Sequence, residues 1–127
     1  LEIWVCKDRD MASGSYTSES DRQEYLRTNE PNQRVIKRFE MENYLFDKSV
    51  LRKYCRNNDR ELNEEKYDIC IHDIQNDDVK SLINVIKECC GIKGSISPNK
   101  FKIELSKLIT PDMDIYKELE ECIFERK

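Results

Sequence analysis

Asp8-Arg9-Asp10, directly after the short apolar run Leu1-Glu2-Ile3-Trp4-Val5-Cys6, is the feature of this chain best suited to chemistry. Two carboxylates one residue apart repel each other unless a cation lies between them, and a divalent ion held by oxygen ligands meets that need. About thirty residues later a second basic-then-acidic unit follows, Arg34-Val35-Ile36-Lys37-Arg38-Phe39-Glu40-Met41-Glu42-Asn43-Tyr44-Leu45. It reads as a strand delivering a second acid pair, Glu40 and Glu42. On an extended backbone residues i and i+2 point to the same side, so each pair can converge on one ion. Phosphodiester cleavage by two metal ions asks for such a set: carboxylates to hold the ions and a cation to stabilise the transition state.

Elements at defined places must carry these acids. Leu1 to Cys6 reads as a strand buried on both faces apart from Glu2. Met11 to Ser20 is a small, polar loop beside the acids. Asp21 to Arg27 predicts a short helix, Asn29-Glu30-Pro31-Asn32 a turn, and Arg34 to Phe39 a second strand. Strand, crossover helix and strand within about forty residues predict a parallel βαβ unit. The carboxyl edge of such a sheet is where ligands bind in open α/β folds.

The remainder is helix-rich. Glu42 to Leu45 leads into a helical turn, and Asp47 caps a helix over Lys48 to Arg56 with Val50, Leu51 and Tyr54 on one face. Residues 57–66 form a polar connector, and Tyr67 to Ile71 is either a strand or the start of a helix. Three further helices follow. The first runs from Asp77 to Cys90 and stops at Gly91. The second opens at Ser97-Pro98, an N-cap followed by a first-turn proline, and carries Phe101, Leu105, Leu108 and Ile109. The third follows Pro111, is capped by Asp112 or Asp114, and buries Ile115, Tyr116, Leu119, Cys122 and Ile123. These stripes read as core, as do Trp4 and Phe39. The expected fold is α/β: residues 1–46 form a partial βαβ core with a parallel sheet, and residues 47–127 a mainly helical remainder of the same domain.

The 127 residues suit one domain with a single core. Charged residues make up 38%, and no apolar run approaches the roughly 20 residues needed to cross a bilayer. The N-terminus carries no secretory signal pattern, and with no initiator Met the chain reads as a fragment of a larger protein. The six cysteines form no Cys-x-x-Cys and His72 is the only histidine, so zinc is not expected. Cys6, Cys70, Cys89 and Cys122 read as small buried hydrophobes, and free thiols in that number suit a reducing cytoplasm. The net charge of −4 is uneven. Residues 34–60 hold eight basic and four acidic residues, net +4, while the segments before and after are net −3 and −5. The excess surrounds the second acid pair and nominates Arg34, Lys37 and Arg38 as a nucleic-acid-binding rim. The plainer reading of that window is a solvated charged face.

Val5 to Asp10 together with Arg38-Phe39-Glu40-Met41-Glu42-Asn43-Tyr44-Leu45 resembles the Toprim domain of OLD-family (overcoming lysogenization defect) ATPase-nucleases. The second segment is similar to that group's Arg-x-Glu-x-Glu-Asn-Tyr-Leu motif. The resemblance covers the first half of the chain and continues loosely through 67–91 and 98–109. It implies a DNA nuclease using Mg²⁺ or Mn²⁺, with Asp8, Asp10, Glu40 and Glu42 as metal ligands. It also implies a catalytic lysine near the start of a C-terminal helix, for which Lys100 in Pro98-Asn99-Lys100-Phe101 is the candidate. Lys93, in Gly91-Ile92-Lys93-Gly94, is the alternative. The implied setting is an upstream ATPase in phage defence or DNA processing, with a homodimer or larger oligomer formed through the full-length protein. The family's strand ending in a glutamate, ahead of Asp-x-Asp, has no counterpart before Leu1, and no Gly-x-x-x-x-Gly-Lys-Ser/Thr occurs. The chain by itself is therefore expected to be inactive.

Two other readings compete. One is a non-catalytic regulatory or dimerisation module that keeps the Toprim shape. The other is an Asp-x-Asp phosphotransferase of the haloacid-dehalogenase kind, which wants Thr or Val where this chain has Ala12. Asp8 and Asp10 as plain loop caps, Glu40 as a surface partner of Lys37 or Arg38, and Asn43-Tyr44-Leu45 as a structural brace are the corresponding bland assignments.

Overall fold

The computed structural model describes residues 4–9 and 18–127. Two short parallel strands, β1 (Val5–Lys7) and β2 (Gln33–Val35), pair in the register Val5 to Gln33, Cys6 to Arg34 and Lys7 to Val35. Helix α1 (Glu19–Thr28) lies between them in the chain. It begins earlier than expected because Ser18 and Asp21 form a capping box. Asp21 N–H donates to Ser18 Oγ at 3.1 Å, and Ser18 N–H donates to Asp21 Oδ2 at 3.0 Å. Strand β2 is shorter than the expected Arg34 to Phe39. Ile36 N–H still reaches Lys7 O, but Arg38 N–H donates to Tyr44 Oη and Phe39 N–H to Gln75 O, so the backbone leaves the ladder. Leu1 to Ile3 and residues 10–17 lie outside the described residues.

The rest of the chain is helical. Four residues form α2 (Glu42–Leu45), and Asp47 then caps α3 (Lys48–Asn57) by accepting Ser49 N–H at 3.0 Å. Helix α3 ends in a Schellman turn. Asp59 takes φ 53°, and Arg60 N–H returns to Cys55 O at 2.7 Å. Tyr67 to Ile71 falls largely within a helix, α4 (Glu64–Cys70), because Asn63 caps it by accepting Lys66 N–H. The helix expected from Asp77 starts later. A 3₁₀ turn over Lys80–Leu82 runs into α5 (Ile83–Cys89), since Asp77 Oδ2 instead accepts the N–H groups of His72 and Asp73. Gly91 ends α5 at φ 73°, a backbone that a Cβ would strain. Ser97 and Pro98 open α6 (Pro98–Ser106) as expected, leaving Leu108 and Ile109 beyond its end. Helix α7 (Asp114–Phe124) has Met113 at its N-cap and no side-chain cap, because Asp112 accepts the Thr110 hydroxyl instead.

The fold is thus mixed α/β, helix-rich, with a small parallel sheet. Helices α1 and α7 pack on β2. The end of the chain closes the β2 side through arginines. Arg22, fully buried, donates to Val35 O at 2.8 Å and to Lys127 O, and Arg126 donates to Gln33 O at 3.2 Å. The core gathers Tyr44, Phe46, Leu51, Ile86 and Phe101, with Tyr54 edge-on to Phe101 at 5.5 Å. The described end of the first strand is not buried on both faces as expected. Trp4, 38% exposed, stacks edge-on to the exposed Phe124, and Val5 and Cys6 are exposed as well, so both faces of β1 reach solvent there.

Candidate functional site

Asp8 follows β1 and is half-buried, while Asp10 lies outside the described residues. Arg9, the residue after Asp8, is 4% exposed. It donates to Lys37 O at 3.0 Å and to Asn76 Oδ1 at 2.6 Å, tying the end of β1 to the segment after β2 and to the 73–77 loop.

The second acid pair is built differently from the sequence expectation. Met41 has helical angles and Glu42 is the first residue of α2, so the extended i, i+2 argument does not apply to Glu40 and Glu42. Their carboxylates are neighbours all the same. Glu40 is 4% exposed and its Oε1 accepts Lys80 N–H at 3.0 Å. Burial pushes its carboxyl up to about 7 against the opposing pull of that N–H, with the nearby Glu42 and Asp78 carboxylates adding to the rise. Glu42 Oε1 lies 3.7 Å from Lys102 Nζ of α6, and its Oε2 is buried with no hydrogen-bond partner among the described residues. An orphaned carboxylate oxygen is costly in a protein interior and suits a cation.

The flanking motif residues hold this turn in place. Asn43, wholly buried, accepts Glu40 N–H at 3.1 Å and donates to Ile74 O and Asp77 O, both at 2.8 Å. Arg38 is buried between Asp47 and Glu118, at 2.8 and 3.1 Å, donates to Asn43 O, and lies over the Tyr44 ring at 4.9 Å. Arg34 is also buried. It donates to the carbonyls of Ile123, Pro31 and Gln33 and lies over Trp4 at 5.0 Å. Of the three residues nominated for nucleic acid, only Lys37 is not buried, and it is half-exposed.

Lys100 is exposed at the start of α6, where its backbone N–H caps on Ser97 Oγ, and Lys93 is exposed in the preceding loop. The lysine that reaches the acid pair is Lys102, two residues on from Lys100. Lys102, Asp78 and the Lys80 N–H are the site groups that sequence reasoning missed. Asp77-Asp78 was visible as an acidic pair, but nothing local ties it to residue 40. His72 is exposed beside a groove of about 280 Å³ with Asp47, Lys48, Tyr67 and Asp68. Cys89 and Cys90 are buried, and burial raises both thiols, Cys89 to about 11, far from nucleophilic form at neutral pH.

Among the described residues no three acid, histidine or cysteine side chains converge on a common point that could hold a metal ion. The arrangement is an acid pair with one orphaned oxygen, a lysine against one member and a third carboxylate beside the other. No family model, curated protein or solved structure matches the chain.

Proposed function

We propose that this chain is the C-terminal Toprim-like portion of a metal-dependent DNA nuclease that works with an upstream ATPase. The observation that carries the reading is the Glu40–Glu42 pair, with its raised carboxyl and the partnerless Glu42 Oε2. Glu40 and Glu42 offer the hard oxygen donors that Mg²⁺ or Mn²⁺ prefers, with Asp8 and Asp10 following the neighbouring strand in sequence. A bound divalent ion would supply an activated water and charge neutralisation on a phosphoryl oxygen. The chain's own part is to hold the acids. Asn43 and the Lys80 N–H fix Glu40, and Lys102 steadies Glu42. Lys102, rather than Lys100, is the lysine we assign to the site.

Mn²⁺ titration by calorimetry tests the reading, on the parent chain and on the Asp8→Asn/Asp10→Asn and Glu40→Gln/Glu42→Gln variants. Saturable binding lost in both variants is the expected result. Absence of binding to the parent would sink the metal assignment for this chain.

The second reading is a non-catalytic regulatory or dimerisation module. The internal use of Arg34 and Arg38 favours it. It predicts self-association or partner binding that is indifferent to Mn²⁺, read by light scattering with and without the ion.

A further inference from the structure

The positive excess of residues 34–60 does not lie where the sequence suggested. Of its eight basic residues, Arg34 and Arg38 are inside the fold and Lys53 donates to Leu108 O and Thr110 Oγ1. Three of the remainder, Arg52, Arg56 and Arg60, line one groove of about 230 Å³ floored by Cys55 and Leu62. All three are exposed.

Backbone geometry brings them together. Arg52 and Arg56 are one turn apart on α3 and share a face. Arg60 would otherwise run off beyond the helix end. The left-handed Asp59 turns the chain back, and the Arg60 N–H bond to Cys55 O brings it beside Arg56. Arg52 is paired with Glu64. Arg56 and Arg60 make no side-chain hydrogen bond or ion pair among the described residues. The helix dipole accounts for a cation at Arg56, in the last turn of α3, and the Glu64 pair for one at Arg52, while neither accounts for Arg60. Three arginines against Glu61 and Glu64 leave the groove a net positive charge.

We propose that this groove binds the phosphate backbone of a nucleic acid. Guanidinium forks match phosphate oxygens with two parallel hydrogen bonds, and an open, exposed row of them suits a polyanion rather than a buried small ligand. Glu61 and Glu64 also line the groove and hold its net positive charge down. The site is separate from the acid pair and needs no metal, so it stands or falls apart from the nuclease reading.

The test is fluorescence anisotropy with fluorescein-labelled 30-nucleotide single-stranded and duplex DNA, in EDTA, over a series of salt concentrations. The parent should bind, and Arg52→Gln/Arg56→Gln/Arg60→Gln should lose at least about tenfold in affinity. Its log–log salt slope should fall by about two to three, near one for each phosphate that the variant no longer neutralises. Glu61→Gln should bind more tightly, and Lys107→Gln, at an exposed position outside the groove, should match the parent. Circular dichroism checks each fold. If the triple variant is unfolded, Arg56→Gln and Arg60→Gln alone carry the test, because neither side chain has an internal partner to lose. A parent that does not bind either DNA, or arginine variants that bind as the parent does with an unchanged salt slope, would overturn the proposal. Arginine-dependent binding to either form supports it, and a preference for single strand or duplex identifies which form the groove accepts.

Discussion

Arg38 Nη1 donates to Asp47 Oδ2 at 2.8 Å, joining the segment after β2 to the N-cap of α3. Burial by itself would raise the Asp47 carboxyl, but bonds from Ser49 and Arg38 outweigh it and hold it below the ordinary range. Arg38 also holds Glu118 of α7, so one side chain ties three parts of the fold. Arg38→Met should cost about 3–5 kcal/mol, because it leaves two largely buried carboxylates without their cation. Urea denaturation at pH 7 reads this directly. A loss below about 1 kcal/mol would show that water replaces the arginine and that Arg38 is free for another role.

Glu40 gives a pH dependence of definite sign. With its folded carboxyl at about 7, the folded chain keeps a proton that the unfolded chain releases near the ordinary glutamate value. Stability therefore falls as pH rises from about 4.3 to 7 and is flat in this term above that, a total of roughly 2–4 kcal/mol. Glu40→Gln keeps an acceptor for Lys80 N–H and cannot ionise. It should be more stable than the parent at pH 8, with little difference at pH 4.5. Urea midpoints at the two pH values measure the difference, and equal shifts at both would rule out a raised carboxyl.

The two lysines of α6 should separate cleanly. Lys102→Gln leaves the already half-orphaned Glu42 without its nearest cation and should destabilise by about 1 kcal/mol. Lys100→Gln changes an exposed side chain and should stay within about 0.5 kcal/mol of the parent. Thermal melts of the two variants side by side decide it, and an equal effect from both would remove Lys102 from the site.

Asn43 supports the acid pair through three bonds from a wholly buried side chain. Asn43→Ala strips partners from the Glu40 N–H and from the carbonyls of Ile74 and Asp77, at about 1–3 kcal/mol for each group left unsatisfied in the interior. We expect a total loss near 3 kcal/mol or more by urea denaturation, with faster amide exchange at Glu40. Unchanged exchange there would mean that the loop holds its shape without Asn43.

Asp59 sits at φ 53°, where a side chain is disfavoured and glycine is not. Asp59→Gly should stabilise by about 0.5 kcal/mol, since the glycine relieves the left-handed backbone but adds freedom to the unfolded chain. A thermal melt suffices, and a clear loss of stability would show that the Asp59 carboxylate contributes more than its backbone costs.

Local signals in the chain decided the element ends that came out as expected. Asp47 caps α3, Ser97 with Pro98 opens α6, and Gly91 stops α5. Each depends on a side chain bonding a backbone group two or three residues away, or on one residue's own φ, so a few neighbours are enough to specify it. The parallel strand–helix–strand order was legible from a short apolar run, a turn at 29–32 and the forty or so residues that hold the two strands and their crossover. The surroundings of the charged residues were not. Arg34 and Arg38 look like surface cations in sequence, yet they are buried on carbonyls and carboxylates as far as 89 and 80 residues away. Glu40 takes its Lys80 N–H from 40 residues on, and Lys102 rather than Lys100 meets Glu42 because α6 packs against α2. Charge in a sequence says what a side chain can pair with. Only the packing of distant segments decides which partner it meets, and so which cations remain in solvent for a ligand.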